Sequence, residues 1–125
     1  MGRERNVIGT LGEKLALRFL EVKGYRVKCK NFRTPFGELD IVAKHEGSII
    51  FIEVRTRTTS SLGPPSLSVT RVKQAHIIKN ALFYLKRYGR PDSDWRIDVV
   101  SVKLDSRLTL ENIEHIENAV EDIYT

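Results

Sequence analysis

The sequence has one cysteine, Cys29, so it cannot form an internal disulfide. A chain without a disulfide framework suits a reducing compartment, and we expect the cytoplasm. No apolar run approaches the roughly 20 residues that a membrane-spanning helix requires. The charged first residues are not followed by the apolar segment of a signal peptide. These absences argue against a membrane or secreted protein.

Two common kinds of chemical motif are also missing. The sequence has no Gly-x4-Gly-Lys-Ser/Thr loop, so we expect no nucleotide hydrolysis. The three histidines, His45, His76 and His115, lie far apart and form no metal-ligand spacing such as His-x3-His. His45 is expected to be exposed, and Cys29 to lie in the core.

The charge is unevenly distributed along the chain. The net charge is +5, yet residues 105–125 carry one basic and six acidic side chains, a local charge of −5. Residues 1–104 carry 20 basic and 10 acidic side chains, or +10. A body this basic favours a polyanionic partner such as DNA. Solubility alone is the other explanation of the same charge.

The length and the hydrophobic pattern indicate one globular domain over residues 1–125. With 41% hydrophobic residues, the chain can bury a single core. The last twenty residues fit either an edge strand or a helix, while the rest gives a clear order of helix, three strands, helix and strand. This order predicts an α/β fold with a central mixed sheet flanked by helices. The predicted ranges are a helix from about 6 to 23, strands over 25–33, 38–46 and 48–57, a helix ending near 88, and a strand over 95–104.

The second helix is predicted to carry an apolar stripe toward the core. The residues of that stripe are Val72, Ala75, Ile78, Leu82 and Leu85. The Gly-, Pro- and Ser-rich segment 60–68 before this helix is predicted to be a loop, and it is a candidate segment for gripping a substrate.

Residues 37–57, GELDIVAKHEGSIIFIEVRTR, place Asp40 near the start of one strand and Glu53 near the end of the next. Side chains alternate along a strand, so Glu53 shares a face with Arg55 and Arg57. Counting back from the turn near Glu46 and Gly47 places Asp40 roughly opposite Arg55 and diagonal to Glu53. Two carboxylates this close repel each other unless something neutralises them.

Two interpretations account for the pair. A divalent cation such as Mg²⁺ takes oxygen ligands, for which two carboxylates are a normal complement, and it would polarise a phosphate and activate a water. Alternatively, Asp40 and Glu53 form cross-strand salt bridges with Arg55, Arg57 or Lys44. Spacing alone slightly favours the salt bridges.

Longer blocks of the sequence resemble a known family. Asp40, a hairpin and then Glu53-Val54-Arg55 resemble the PD-(D/E)XK nuclease signature, and the predicted elements resemble the restriction-endonuclease-like αβββαβ core. More closely, nearly the whole chain is similar to the YraN-like family of small bacterial proteins, which resemble Holliday-junction resolvases. The matching blocks are GEKLALRFLEVKGY at 12–25, NFRTPFGELDIVAKHEGSIIFIEVRTR at 31–57, KQAHIIKNALFYL at 73–85 and WRIDVVSV at 95–102.

The resemblance implies a metal site at the carboxylate pair. Asp40 and Glu53 would be the ligands of Mg²⁺, with Mn²⁺ as an alternative, and the Val54 carbonyl would be a third ligand. Glu13 matches the helix glutamate of resolvase-like members and would complete the acidic cluster; an exposed helix residue is the other interpretation. Glu38 is either an outer ligand or, as we prefer, a turn residue.

Arg55 departs from the superfamily pattern, which has lysine at this position. An arginine effectively never loses its proton, so Arg55 cannot be a general base. It can still orient a water or stabilise charge on a phosphate. The implied catalytic set is therefore Asp40, Glu53 and Arg55, with catalytic competence as the open question.

Three functions follow from these residues. The first is a Mg²⁺-dependent endonuclease that acts on DNA, including branched or junction DNA. The second is a non-catalytic nucleic-acid-binding module on a nuclease-derived fold. The third is an adaptor whose basic face meets an acidic protein partner. Analogy with resolvases suggests a symmetric homodimer.

A set of basic and amide side chains is predicted to contact nucleic acid. Most such contacts would reach phosphates and give affinity without reading sequence. Lys73 and Gln74, at the start of the second helix, resemble residues that many of these nucleases direct at the site; a solvated helix face is the alternative. The full predicted set is Arg57, Lys73, Gln74, Arg26, Lys28, Lys30 and Arg33. Asp98 stands apart, because its apolar neighbours predict a structural ion pair with Arg96 or another cation.

Overall fold

A computed structural model describes residues 3–59, 71–90 and 92–120, with side chains described from Val7 onward. Two helices and five strands follow one another in the order helix, three strands, helix and two strands. The seven elements are α1 (Arg3–Val22), β1 (Arg26–Thr34), β2 (Gly37–His45), β3 (Ser48–Thr58), α2 (Arg71–Tyr88), β4 (Trp95–Leu104) and β5 (Leu110–Ile116). The predicted loop 60–68 lies outside the described residues.

The five strands form one mixed sheet in the order β1-β2-β3-β4-β5. β3 and β4 are parallel, and the other neighbouring pairs are antiparallel. A parallel pair needs a crossover, which α2 supplies between β3 and β4. The predicted α/β fold is confirmed, and it is consistent with a restriction-endonuclease-like core. The ambiguous C-terminal segment is the edge strand β5.

Each face of the sheet packs against one helix. Ala16 and Leu20 of α1 join Ile50 and Ile52 in one buried cluster. Ile77, Ile78 and Ala81 of α2 join Ile49 and Phe51 in another. The first half of β3 is therefore buried on both faces, as its unbroken apolar run predicts. Neither helix in the described ranges is long and apolar enough to cross a membrane.

The predicted stripe of α2 is partly wrong. Val72 and Leu82 are exposed, whereas Ile77 and Ala81 are buried. The inward face also includes a polar residue, Asn80, whose side chain hydrogen-bonds the Thr34 hydroxyl of β1. A stripe drawn through apolar letters cannot include a buried asparagine, so the inward face was placed with the wrong rotation about the helix axis.

A two-residue turn fixes the register of β2 and β3. Glu46 and Gly47 both have positive φ, 48° and 84°, as a type I′ hairpin turn requires. The register then runs from His45↔Ser48 to Ile41↔Ile52. Continued by one residue, this register brings Asp40 opposite Glu53, and the two carboxylates interact. The predicted alignment of Asp40 with Arg55 is wrong, because the turn is tighter than that count assumed.

The sheet divides just beyond this point. Within the described residues, Ile41↔Ile52 is the last pair between β2 and β3. Farther on, β2 stays paired with β1 as far as Thr34↔Gly37, and β3 stays paired with β4 as far as Thr58↔Leu104. We call this opening between β2 and β3 the strand fork.

Helix α1 lies close against β3 beside the strand fork. A Cβ added at Gly12 would stand 1.8 Å from Thr56 Oγ1, so the helix approaches β3 at a point that only glycine permits. The next residue of α1 is Glu13. The close approach therefore brings a third carboxylate near the ends of β2 and β3.

Candidate active site

Asp40 and Glu53 lie at the base of the strand fork. Asp40 Oδ2 accepts a hydrogen bond from the Val54 N–H at 2.8 Å, which replaces the backbone pairing that ends here. The pKa of Asp40 is raised to about 7: burial and the charge of Glu53 raise it most, the Val54 N–H opposes them, and Glu13 and a hydrogen bond to Glu53 add to the rise. Without a metal, the pair of carboxylates therefore binds a proton more readily than an isolated carboxylate does.

This pKa bears on the salt-bridge alternative. A carboxylate paired with a cation has a lowered pKa, because the cation favours its charged form. The pKa of Asp40 is raised instead, and the dominant causes are burial and a neighbouring carboxylate. Lys44, one of the predicted salt-bridge partners, lies four residues along β2 near the hairpin turn. Burial and a neighbouring carboxylate, not a paired cation, are therefore the main influences on the charge of Asp40, whereas Glu53 does pair with a cation, Lys73.

Glu13 approaches the pair from α1. Burial raises the pKa of Glu13, as do the charges of Glu38 and Glu53, while Lys30 lowers it. Glu13 also lines a cleft of about 470 Å³ next to the fork, together with Thr10, Lys14, Leu17, Lys30, Asn31, Arg33 and Ile41. In the described residues, one group of three potential metal ligands has its ligand atoms within 4.8 Å of one another, and it consists of Asp98, His115 and Glu117. Glu13, Asp40 and Glu53 are therefore not all that close together. Glu13 is thus an outer member of the acidic cluster.

Asn31 joins this cluster, and the sequence did not single it out. It lies in β1 between Lys30↔Ile41 and Phe32↔Leu39, which places it opposite Asp40. Its φ is 52°, in the left-handed region, where asparagine is among the more tolerant residues. With its amide nitrogen oriented toward the carboxylates, it donates to Glu13 Oε1 and Glu38 Oε1, both at 3.0 Å. The one sequence signal was an asparagine inside a strand pattern.

Three predicted basic residues lie around the fork. Lys73 Nζ lies 3.3 Å from Glu53 Oε1, so the start of α2 reaches the carboxylate pair. Lys30 acts electrostatically on Glu13, and Arg33 pairs with Glu38 at 3.7 Å. Gln74, the next residue of α2 after Lys73, is half-buried.

Arg26 and Lys28 are not brought to the fork. They are exposed on the first part of β1, three to five residues before Asn31. At about 3.3 Å per residue they lie roughly 10 to 16 Å away along the strand. The prediction grouped them with Lys30 because the strand reads as one basic segment, yet a strand this long spans more than one site.

Arg55 and Arg57 follow Glu53 on the same face of β3. Both are half-buried. The Arg57 Nε–H is buried and has no hydrogen-bond partner among residues 3–59, 71–90 and 92–120. A buried N–H without an acceptor is unusual, and a phosphate oxygen is an acceptor of the kind it lacks.

A second buried carboxylate, Asp98 on β4, has opposite surroundings. Arg96 Nε donates to Asp98 Oδ1 at 2.9 Å, which confirms the predicted ion pair. The Asn118 N–H also donates to Oδ1 at 2.9 Å, and His115 Nε2 donates to Oδ2 at 2.8 Å. Burial alone would raise the pKa of Asp98, but the hydrogen bonds from His115, Arg96 and Asn118 outweigh it and lower the pKa.

Histidines contribute to this second group in ways the sequence did not reveal. Lys23 Nζ lies 2.7 Å from His115 Nδ1. Since a lysine can only donate and a carboxylate only accept, His115 is the neutral tautomer with its proton on Nε2. His45 was expected to be exposed, but its side chain is only 22% exposed, and its ring stacks on Tyr25 at a centroid distance of 4.0 Å. It is covered because the end of β2 lies beside the start of β1.

Comparison with known proteins identifies the family to which this chain belongs. Residues 12–102 match the model described as "Uncharacterised protein family UPF0102". The chain belongs to the UPF0102 family. This confirms the resemblance to YraN-like proteins. The UPF0102 match covers the fork residues Asp40 and Glu53, together with Glu13 and Lys73.

Relatives in the UPF0102 family match over most of their length. A UPF0102 protein of Geobacter metallireducens is 41% identical over 124 residues, which is 99% of this chain and 100% of the relative. One from Pelobacter propionicus is 47% identical over 118 residues, or 93% and 84% of the two chains. One from Desulfosudis oleivorans is 46% identical over 103 residues, or 82% and 84%.

Proposed function

We propose that this protein is a metal-dependent endonuclease that hydrolyses DNA phosphodiester bonds, with branched DNA among its substrates. One observation carries the proposal. Asp40 and Glu53 face each other at the strand fork, and the pKa of Asp40 is raised to about 7, chiefly by burial and by Glu53. Placing two carboxylates this close costs free energy that a bound cation would recover.

The donor atoms at the fork fit a hard divalent cation. The Val54 N–H points toward Asp40, and the N–H and C=O of one strand residue point to the same edge, so the Val54 carbonyl also faces the fork. Asp40, Glu53 and Val54 thus offer three oxygen donors. Magnesium and manganese prefer oxygen ligands, and magnesium commonly keeps several waters. When bound, the cation would polarise a phosphate oxygen and lower the pKa of a water.

The basic side chains of the site have separate roles in this proposal. Lys73 neutralises Glu53 in the metal-free protein and is placed to contact the phosphate when Glu53 binds the cation. Arg55 keeps its charge at every accessible pH and stabilises the negative charge that develops on the phosphate. Arg57, two residues farther on the same face of β3, adds a second fixed positive charge.

Cleavage of labelled DNA tests the proposal. The substrates are linear duplex and branched DNA in the presence of Mg²⁺ or Mn²⁺, and the decisive variant is Asp40→Asn/Glu53→Gln. A matched control is Glu111→Gln, which removes a carboxylate paired with Lys103 at 3.5 Å on the far edge of the sheet. We expect cleavage by the wild type and the control but none by the double variant.

Cleavage retained by the double variant would overturn the proposal, since it would come from a contaminating nuclease or another site. DNA binding provides a second measurement. We expect affinity to fall about 10²-fold over a few-fold rise in salt, because several phosphate contacts release counterions. Binding that is indifferent to salt would contradict a phosphate-dominated interface.

One observation favours a second candidate, a non-catalytic DNA-binding module. Arg55 occupies the position at which the superfamily pattern has lysine. Manganese-dependent melting separates the two functions, since a ligand that binds only the folded state raises its stability. A manganese shift in the wild type that is lost in Asp40→Asn supports the enzyme. Salt-dependent DNA binding without a manganese shift supports the module.

A further inference from the structure

An exposed aromatic ring next to a basic side chain lies at each end of the line along which β1 packs against α2. Phe36, in the turn between β1 and β2, is 47% exposed, and Tyr88, at the end of α2, is 59% exposed. Lys79 Nζ lies 5.7 Å from the centre of the Phe36 ring, and the Arg87 guanidinium carbon lies 5.9 Å from that of Tyr88. We call these four residues the aromatic platform.

The end of β1 connects the two ends of the platform, because it runs beside α2. The Phe32 ring packs against Tyr84 and Tyr88, with centroid distances of 5.2 and 5.9 Å. Toward the other end, the Thr34 hydroxyl hydrogen-bonds Asn80. From Lys79 to Tyr88 the helix rises about 14 Å. The two exposed rings are therefore separated by a length that suits a few nucleotides of an extended strand.

The charge around the platform has a single sign over a long stretch of chain. No acidic residue occurs between Glu53 and Asp92, while eight basic residues do. Helix α2 carries five of these and no acidic residue, whereas α1 mixes both signs. A polyanion would therefore meet only basic and neutral side chains along α2.

The platform begins near the proposed active site. Lys73 contacts Glu53, and Lys79 lies six residues farther along α2, about 9 Å away by helical rise. Phe36 is four residues before Asp40 on the other side of the fork. A DNA strand whose phosphate lies at the fork would thus pass onto the platform within a few nucleotides.

We propose that the aromatic platform binds unpaired, single-stranded DNA next to the scissile phosphate, so that the substrate is DNA with an unpaired arm. This inference rests on the proposed nuclease function. Bases of an intact duplex are stacked on each other and present mainly phosphates to a protein surface. Exposed rings gain contact only when bases are unpaired, and such rings stack on any base.

Fluorescence anisotropy of the full-length protein tests the inference at low salt. The probes are a labelled oligothymidylate of about 16 nucleotides, an oligouridylate of the same length and a duplex of the same length. The variants are Phe36→Ala, Tyr88→Ala and their combination. Val22→Ala, at an 88% exposed apolar position of α1, is the matched control, and Tyr88→Phe retains the ring.

Each alanine variant should bind oligothymidylate at least about 5-fold more weakly, the effect of losing one stacked base. Duplex binding should stay within twofold of wild type, as should all binding by Val22→Ala and Tyr88→Phe. The combined variant should also lose preference for cleaving DNA with an unpaired arm over linear duplex. Thermal melting shows whether each variant is folded; these exposed rings should change it little.

Unchanged oligothymidylate binding in the folded double variant would overturn the inference. So would a wild type that binds and cleaves duplex but does not bind oligothymidylate, and in that case the proposed nuclease function stands. Tighter binding of oligouridylate would overturn the assignment to DNA. If Asp40→Asn/Glu53→Gln loses cleavage but still binds oligothymidylate as the wild type does, the platform binds single-stranded DNA independently of the carboxylate pair.

Discussion

Asp40 and Asp98 are two aspartates at the centre of one sheet, and their pKa values move in opposite directions. Both lie mainly out of water, which by itself raises the pKa of a carboxyl group. The pKa of Asp40 is raised to about 7, whereas that of Asp98 is lowered. Burial therefore does not decide the charge of either group; the neighbours do.

The neighbours of the two carboxylates differ in sign. Asp98 accepts hydrogen bonds from Arg96, His115 and the Asn118 N–H, so the protein itself supplies its counter-charge. Asp40 accepts the Val54 N–H and interacts with the carboxylate of Glu53. The first arrangement has its counter-charges within the protein, while the second would be stabilised by the cation that we propose. A fully paired carboxylate marks structure, and a cluster of carboxylates with raised pKa values marks a candidate site.

The largest effect should follow removal of the paired carboxylate. Asp98→Ala leaves the buried His115 Nε2–H and the Asn118 N–H without their acceptor and removes one of the partners of Arg96, which keeps Tyr25 and Glu117. We expect a loss of about 3 to 5 kcal/mol in the free energy of unfolding. Urea denaturation at neutral pH measures it. Asp40→Ala is the matched comparison and should cost much less, because it also removes repulsion. A loss below about 1 kcal/mol for Asp98→Ala would mean that the network adds little stability.

The pH dependence of stability should separate the same two residues. Because the folded pKa of Asp40 lies above its ordinary value, the metal-free protein is most stable below that ordinary value and loses stability as pH rises toward about 7. Asp40→Asn should therefore be more stable than wild type above pH 7, by on the order of 3 kcal/mol. The difference should vanish near pH 4, and manganese should stabilise only the wild type.

Asp98 should change the stability in the opposite direction with pH. Its folded pKa is lowered, so its contribution is present above the ordinary value and is lost as pH falls through the folded pKa. Thermal melting from acid to mildly basic pH measures both slopes. If Asp40→Asn instead destabilises the metal-free protein by about 1 kcal/mol or more above pH 7, the salt-bridge interpretation of Asp40 regains support.

Replacement of Arg55, close to Glu53, and of Arg96, beside Asp98, should affect different measurements. Arg55→Ala should lower cleavage about 10²-fold or more, the scale of one lost transition-state contact, while DNA binding falls much less. Arg55→Lys should stay within about tenfold of wild type, because the charge remains. Arg96→Ala should instead lower stability. Equal losses of cleavage in Arg55→Ala and Arg55→Lys would show that the planar guanidinium, rather than its charge, is required.

The smallest effect should come from replacing Lys73, the lysine that contacts Glu53 at the strand fork. Lys73→Gln removes the 3.3 Å contact with Glu53, but the lysine side chain is 48% exposed, so the change should cost less than about 1 kcal/mol. Manganese should still raise the melting temperature of this variant. Denaturant unfolding with and without manganese tests both statements. A cost above about 2 kcal/mol would make Lys73 a structural partner of the fork in the way that Arg96 is for Asp98.

The fold was largely predictable because its signals are local. The unbroken apolar run of β3 and the alternation in β1 follow from which residues share a face. The proximity of Asp40 and Glu53 follows from two strands joined by a hairpin. Their direct alignment did not follow, since it depends on whether the turn holds two residues or more.

The missed residues depend on contacts that are distant in sequence. His115 is buried because β5 pairs with β4 and brings it to Asp98, and seven residues of β5 carry too weak a periodic signal to place it. Asn31 is notable for its left-handed backbone and its bridge to Glu13, neither of which can be read from the letter N. The basic residues of β1 were grouped by composition, although the strand carries Arg26 away from Lys30.

The hairpin turn at Glu46 and Gly47 also constrains which insertions and deletions the gene can tolerate. Asp40 and Glu53 each lie five residues from the strand ends that this turn joins, roughly 16 Å away. One residue inserted into either strand would move its carboxylate to the opposite face and separate the pair, although a hairpin could still form. A residue inserted into the turn itself would also lose the geometry of a two-residue turn, so the length of the turn sets the alignment of Asp40 and Glu53 from a distance. Length changes should therefore be selected against here more strongly than substitutions at the exposed Glu46.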